Sequence, residues 1–198
     1  MPRVPLTVDA IVSTAAALAD EVGVSAVTLS AVARSLGVQT PSLYGHVADL
    51  AALRDGMTIR ALAELSDSAG EAIAGRSGRD ALRALCDAHR DYARAHPGGW
   101  ESLQRRAGEA AVRSAPAARS GQVMAAVLRG YGVPEADRVH ATRLVAAFLN
   151  GFIHLEHVGG FSYSAPASTA SWSILIDRVD GILRDWGRAA ASTGRDHT

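Results

Sequence analysis

The 198-residue sequence contains no lysine and only one cysteine, Cys86. A single cysteine cannot form a disulfide within the chain, so we exclude a disulfide-rich secreted scaffold and expect the reducing cytoplasm. The opening residues, Met-Pro-Arg-Val-Pro, have no apolar run behind a basic cap, so no signal peptide is predicted. Charged or turn-forming residues interrupt every apolar segment, and none reaches the length of a membrane span. We therefore expect no contact with a membrane.

All 20 basic residues are arginines, and 20 acidic residues balance them to a net charge of zero. Such a balance gives no attraction of the whole chain to nucleic acid. The hydrophobic fraction of 48% is typical of a globular protein. Alanine is abundant and runs of valine, isoleucine and threonine are rare, which favours helices throughout. The composition predicts an all-α fold.

Residues 28–47 have the pattern of two short helices joined by a tight turn. Thr28 can cap the first helix, and Gly37 can end it in the left-handed conformation. Thr40 and Pro41 supply a cap and a proline at the first position of the second helix. The polar side chains left to face outward are Ser42, Tyr44 and His46. This pattern predicts a helix-turn-helix whose second helix enters the major groove of DNA.

The same segment has a second interpretation, a helical hairpin that only packs. In either case Leu43 is the expected apolar anchor of the second helix. A packing hairpin, however, needs no outward-facing polar side chains beside its turn. The set formed by Ser42, Tyr44 and His46 therefore favours the DNA-binding interpretation.

Three runs, Leu36-Gly37-Val38, Pro41-Ser42-Leu43-Tyr44 and His46-Val47, together resemble the DNA-binding domain of the tetracycline-repressor (TetR) family. Residues 148–156 with Gly159-Gly160-Phe161 resemble one branch of TetR ligand-binding domains, in which a Gly-Phe-x-x-Leu-Glu run precedes a Gly-Gly-Phe turn. The resemblance covers nearly the whole chain. It implies a homodimeric transcriptional regulator, a repressor that a small-molecule effector releases from a palindromic DNA operator.

The implied fold is an N-terminal helix-turn-helix three-helix bundle followed by a C-terminal helical ligand-binding and dimerisation domain, about nine helices in all. The predicted boundaries are a DNA-binding domain at 1–48, a connecting helix at 49–75, an effector-binding and dimerisation domain at 76–191 and a disordered tail at 192–198. Thr7 and Asp49 can cap the helices that follow them, and Gly23 can end the first. With the other prolines and glycines, these residues place the helices outside the motif at about 7–22, 49–75, 79–95, 100–107, 116–130, 135–158 and 169–190.

Base readout requires side chains with hydrogen-bonding edges at the start of the second motif helix. Gln39, Thr40 and Ser42 are the candidates, and the resemblance implies that Tyr44 and His46 contact phosphates. Over residues 1–60, four arginines face five acidic residues, a net charge of −1. Only a few contacts between arginines and phosphates can then release counterions from DNA, and Arg3 is expected to make one of them. The complete predicted DNA-binding set is Arg3, Thr28, Gln39, Thr40, Pro41, Ser42, Tyr44 and His46.

The lack of net positive charge over residues 1–60 keeps a second function open, a helical dimerisation or adaptor module without operator binding. The sequence contains neither a Gly-x-Ser-x-Gly elbow nor a phosphate-binding loop. No enzyme activity and no cofactor are therefore predicted.

An apolar effector pocket is predicted between the helices of the second domain. Its candidate walls are His89, Tyr92, Trp100, Met124, Leu128, His140, Leu144, Phe148 and Phe152, with the two histidines and Tyr92 as polar anchors. Plain core packing explains any single one of these residues equally well. The arginines of helix 79–95 are expected to pair with aspartates of the same helix, which leaves no arginine cluster for a polyanion. The expected effector is therefore mainly apolar and weakly charged.

The last helix carries a stripe of large side chains that we expect to meet a partner helix from a second subunit: Trp172, Leu175, Val179, Leu183 and Trp186. On the preceding helix, Asn150, His154 and His157 form a polar stripe. Two histidines three residues apart share a helix face, but a metal site needs three or four ligands and no other histidine or cysteine pairs with them by sequence. We predict no metal site, and the stripe is assigned to a subunit contact or a pocket wall.

Overall fold

The computed structural model describes residues 5–193, and all regular structure within that range is helical. The helices are α1 (Val8–Val22), α2 (Leu29–Ser35), α3 (Leu50–Ile73), α4 (Gly78–Ala95), α5 (Pro97–Leu103), α6 (Glu109–Val112), α7 (Ala115–Arg129), α8 (Arg138–His157) and α9 (Ser168–Thr193). Three 3₁₀ turns, Val24–Ala26, Thr40–Gly45 and Glu135–Asp137, lie between them. The predicted all-α fold is confirmed.

Within residues 5–193, none of the helices has both the length and the apolar character needed to cross a membrane.

The chain divides into two compact units. The first contains the described residues up to Leu65 together with Tyr92–Arg119, and the second contains Ser66–Asp91 and the described residues from Ser120 onward. This division differs from the predicted domain boundaries, because α3 and α4 each contribute to both units and because α5 and α6 belong with the N-terminal helices.

Local sequence signals start the helices of the first unit. The hydroxyl of Thr7 accepts a hydrogen bond from the Ala10 amide at 3.1 Å, and Asp49 caps α3 by accepting from the Ala52 amide at 2.8 Å. Gly23, at φ +83°, ends α1 where the sequence predicted its end. The apolar faces of these helices meet in a core that includes the fully buried Ile11, Val32, Leu43 and Leu53.

Helix α5 is held to α1 by an exchange of side-chain-to-backbone hydrogen bonds. Asp20 of α1 accepts from the amides of Gly98 and Gly99 at 2.8 and 3.2 Å, which satisfies two free donors at the start of α5. In return, Glu101 of α5 accepts from the amide of Val24 at 3.0 Å, just beyond the end of α1. The helix therefore begins at Pro97 and ends at Leu103, earlier at both ends than the predicted range of 100–107.

In the second unit, aromatic side chains donate hydrogen bonds to carboxylates of α4 and α9. The indole of Trp172 on α9 donates to Asp87 on α4 at 2.7 Å. The hydroxyl of Tyr131 donates to the buried carboxylate of Asp180 at 2.7 Å. These bonds satisfy polar groups that would otherwise be costly to bury beside an apolar core.

A buried ion pair joins α4 to α8 in the second unit. The Arg90 Nε donates to Glu156 at 2.8 Å and a second guanidinium nitrogen donates to the other carboxylate oxygen, so the pair is bidentate. Ser168, at the start of α9, donates to the same carboxylate at 2.7 Å. The guanidinium also lies 4.9 Å from the centre of the Trp172 ring, a cation–π geometry.

The Arg90 pair corrects the expectation that the arginines of this helix pair with aspartates of their own helix. Arg79 likewise bonds to Asp177 of α9, at 2.6 Å. Spacing within one helix could not reveal carboxylates that α8 and α9 bring from far along the chain.

Candidate nucleic-acid interface

The predicted helix-turn-helix pattern of residues 28–47 is present in the first unit. Thr28 caps α2 through a 3.1 Å hydrogen bond from the Ala31 amide, and Gly37 takes the left-handed φ of +67° in the turn. The amide of Val38 bonds back to the Ala33 carbonyl at 2.9 Å, which closes the turn. The second motif helix is a 3₁₀ helix over Thr40–Gly45, shorter and tighter than the α-helix expected.

One side of this 3₁₀ helix is buried and the other is open to solvent. Leu43 is fully buried in the core of the first unit, as expected for the anchor. Tyr44 is 56% exposed, and Ser42 and His46 are also exposed. Three polar side chains therefore stand on the surface around one buried leucine, which is the arrangement that contact with a nucleic acid requires.

The other predicted DNA-binding residues differ in accessibility. Gln39 and Pro41 are exposed, Thr40 is half-buried, and the oxygen of the exposed Thr28 is occupied by its capping bond. Arg3 lies outside the described residues. Arg34, exposed on α2, is a cation of the motif that the sequence-based set omitted, although a positive charge inside the motif was the signal that could have selected it.

The residues predicted to line an effector pocket are split between the two units. Tyr92 and Trp100 belong to the first unit, whereas the other seven belong to the second. In the second unit, Phe148 and Phe152 pack on the Trp172 ring, with centroids 5.4 and 5.0 Å from it.

Burial varies among the remaining pocket candidates. Leu128 is fully buried, and Met124 and Leu144 are half-buried. His140 lies exposed on α8. The Nδ1 of the partly buried His89 is 2.7 Å from the Leu85 carbonyl, and loss of hydration lowers the pKa of this imidazole despite that hydrogen bond.

The stripe on α9 packs largely within its own subunit. Trp172, Val179 and Leu183 are buried in the second unit, which corrects their assignment to a surface that faces a second subunit. The remaining two members behave differently, since the Trp186 indole donates to Asp137 at 3.1 Å and Leu175 is partly exposed.

The exposed apolar face of α9 is offset from the predicted stripe. Ile174 and Ile182 are 56% and 48% exposed and lie eight residues apart, so they share one side of the helix. Leu155, near the end of α8, and Val158, just after it, are exposed apolar residues as well. The helical period in the sequence could have identified this face, but it could not say which of two apolar faces packs inside the subunit.

The polar stripe on α8 is exposed at Asn150, His154 and His157. Among residues 5–193, no group of three or more histidine, cysteine or acidic side chains is arranged to hold a metal ion.

The chain has a helix-turn-helix near its N-terminus and long helices later in the sequence. This fold is that of a class of bacterial DNA-binding regulators. Two family descriptions match the chain: "Bacterial regulatory proteins, tetR family" over residues 11–49, and "Tetracyclin repressor-like, C-terminal domain" over residues 82–179. The chain belongs to the TetR family of transcriptional regulators.

Individual proteins support the same assignment. The uncharacterized HTH-type transcriptional regulator YobS of Bacillus subtilis is 33% identical over 156 residues, which cover 76% of this chain and 79% of that protein. An uncharacterized HTH-type transcriptional regulator of Mycobacterium tuberculosis is 31% identical over 156 residues, 78% of this chain and 72% of that protein. The crystal structure of the Streptomyces coelicolor TetR family protein ActR in complex with actinorhodin has the same fold, with a TM-score of 0.72 at 18% identity, covering 92% of this chain and 99% of that one.

Proposed function

We propose that this regulator binds a palindromic operator as a homodimer, acts in the cytoplasm as a repressor rather than as an enzyme, and leaves DNA when a small molecule binds its second unit. The observation that carries the DNA-binding part is the exposed set Ser42, Tyr44 and His46 around the buried Leu43. In a dimer, two copies of this surface would lie about 34–36 Å apart and reach successive major grooves.

Each side chain of the set has a proposed task. Tyr44 and His46 hydrogen-bond to phosphates and so position the duplex without reading its sequence. Gln39, Thr40 and Ser42 stand at the start of the 3₁₀ helix, where short polar side chains can reach base edges. Arg34 is added to this surface as a further phosphate contact, because the net charge of −1 over residues 1–60 leaves few cations for the task.

The dimer is proposed to form through α8 and α9. The supporting observation is the exposed apolar set of Ile174, Leu175 and Ile182 on α9, with Leu155 near the end of α8 and Val158 just after it. Burial of such side chains is the main favourable contribution to subunit association.

The effector is proposed to be mainly apolar and weakly charged. The rings of Phe148 and Phe152 lie together in the second unit, with centroids 6.2 Å apart, and its arginine at position 90 is already paired with Glu156 and therefore not available to an anion. The structural neighbour ActR was crystallised in complex with actinorhodin. In one conformation of the dimer, the spacing of the two DNA-contacting surfaces would not match successive major grooves. An effector with higher affinity for that conformation would shift the population away from DNA.

Selection of genomic DNA fragments by the purified protein tests the operator function. Tyr44→Ala is the test variant, and Tyr163→Ala, which removes a tyrosine that is fully exposed in the second unit, is the matched control. The selected fragment should lose affinity by about 1–3 kcal/mol with Tyr44→Ala and keep it with Tyr163→Ala. The salt dependence of affinity should be steep, since phosphate contacts release counterions.

The adaptor module remains the second candidate because of the low charge of residues 1–60. It predicts no selected fragment, a flat salt dependence and equal behaviour of the two tyrosine variants. Those results would replace the regulator proposal.

A further inference from the structure

The first unit contains a cavity of about 150 Å³ that the operator-binding proposal does not use. It is lined by residues of α1, α3, the end of α4 and α5. Its apolar wall consists of small side chains and one thioether, and its polar wall carries carboxylates, a phenol and an imidazole. The residues that carry the argument are Ala16, Asp20, Met57, Glu64, Tyr92 and His96. We propose that this cavity binds a small organic cation, an ammonium or amidinium on a compact apolar body.

Acidic side chains dominate the polar wall. Asp20 and Glu64 are both carboxylates, and the single arginine of the wall, Arg60, donates to Glu64 at 2.9 Å. Arg60 also lies 3.9 Å from the exposed carboxylate of Asp9, so its charge is shared with a second anion. A carboxylate can accept up to about four hydrogen bonds, so both acids keep acceptor sites for a ligand.

Two carboxylates act on the phenol of Tyr92, which lines the cavity. The hydroxyl of the buried Tyr92 donates to Glu64 at 3.1 Å. Burial, followed by the charges of Glu64 and Asp20, raises the pKa of this phenol, and the opposing effect of Arg60 is the smallest of the contributions. The charges of Glu64 and Asp20, unlike burial, act with opposite sign on an anion and a cation, so they favour a cation at this wall.

The side chains that line the cavity include an imidazole and hydroxyl groups as well as the carboxylates. His96 lies 3.2 Å from Asp20 through its Nδ1, and its ring packs against that of Tyr92 with centroids 5.1 Å apart. Ser13 of α1 and Ser102 of α5 add hydroxyl groups to the wall. A ligand cation would therefore meet carboxylates from α1 and α3, and the rings of Tyr92 on α4 and of His96 just after its end.

The size and access of the cavity limit the ligand. A volume of 150 Å³ equals the liquid volume of roughly five water molecules, so it suits a ligand of on the order of five to ten non-hydrogen atoms. The side chains of Asp20 and Glu64 are 25% and 36% exposed, so the polar wall opens to solvent and a small ligand can enter from there. The buried Ala61 and Met57 offer the apolar contact that a bare metal ion would not use.

Calorimetric titration with three isosteric probes tests the proposal: benzamidinium as the cation, benzamide as the neutral probe and benzoate as the anion. Benzamidinium should bind and the other two should not. Glu64→Gln keeps an acceptor for Tyr92 but removes the charge, and should weaken benzamidinium binding about tenfold. Ala16→Leu fills the cavity and should abolish binding. Glu109→Gln removes an exposed carboxylate of the same unit, which pairs with Arg113, and should change nothing.

Three results would overturn the proposal. One is equal binding of benzamide or benzoate, which would mean an uncharged or cationic site. Another is unchanged benzamidinium affinity in both Glu64→Gln and Ala16→Leu, each checked for folding by circular dichroism. The third is no binding of benzamidinium at about 10 mM, which would mean a cavity that holds water only. The titration needs no DNA, so its failure would leave the operator proposal intact.

Discussion

Gly98 of α5 lies in direct contact with the backbone of Ala19 on α1. A Cβ at position 98 would stand 2.3 Å from the Ala19 carbonyl carbon and 2.6 Å from its oxygen. Backbone atoms cannot turn aside as the end of a side chain can. The hydrogen bonds from Gly98 and Gly99 to Asp20 hold this close approach in place.

Substitution of Gly98 by alanine should therefore destabilise the protein. We expect Gly98→Ala to lower the free energy of unfolding by about 1–3 kcal/mol, because the added methyl group forces α5 away from α1. Gly121→Ala is the matched control, since Gly121 is exposed in the middle of α7 with open space around it. That change should raise stability by up to about 1 kcal/mol through helix propensity. Urea unfolding measures both, and an equal effect of the two substitutions would contradict the contact.

The two classes of DNA contact should be separable by mutation. Ser42→Ala is expected to relax preference at one operator position, at a cost of about 1–3 kcal/mol for the preferred base. His46→Gln is expected to weaken binding to all operator variants alike, because a phosphate contact carries no sequence information. Binding to a panel of single-base operator variants measures both effects. Uniform weakening by Ser42→Ala would remove this residue from base readout.

Disruption of the exposed face of α9 should separate the subunits. Ile182→Glu places a charge where the proposed interface is apolar, and the dissociation constant of the dimer should rise at least about tenfold. Val112→Glu, at an exposed valine of the first unit, is the control and should leave the dimer intact. Sedimentation equilibrium is the measurement. A dimer that tolerates both Ile182→Glu and Ile174→Glu would exclude this face.

His89 should make the protein less stable in mild acid. Burial lowers its pKa in the folded state below the usual value near 6.5, so between these two values the unfolded chain binds a proton that the folded chain does not. Stability then rises with pH through that window, by up to about 1.4 kcal/mol per pH unit, and is constant above it. His89→Gln should flatten the slope measured by urea unfolding from about pH 5.5 to 7.5. His154→Gln, at an exposed histidine of α8, should retain it; a slope unchanged in His89→Gln would contradict the assignment.

Much of the first unit could be predicted because its signals are local. Four of these signals act within four residues and were predicted from the sequence: the caps at Thr7, Thr28 and Asp49 and the glycine at position 37. The burial of Leu43 followed from the same short pattern.

What could not be predicted depends on partners far along the chain. The start of α5 is set partly by Asp20, which is 78 residues from Gly98 in sequence. The single turn of α6 has no apolar period of its own, and its preceding residue, Gly108, donates to Asp55. Likewise, Trp172 has two possible neighbours by periodicity, a partner subunit or its own α4, and only the structure places it on Asp87.

The buried pair of Arg90 and Glu156 also constrains how this sequence can change over time. Loss of either partner alone leaves an uncompensated buried charge, which typically costs about 3–5 kcal/mol, whereas joint replacement by apolar residues of similar volume is often close to neutral. A protein that has lost only one of the two charges is therefore expected to fold poorly. Positions 90 and 156 are expected to co-vary as one unit among homologous proteins, and a sequence that carries only one of the two charges is expected to carry a compensating change at Ser168 or in the surrounding aromatic rings.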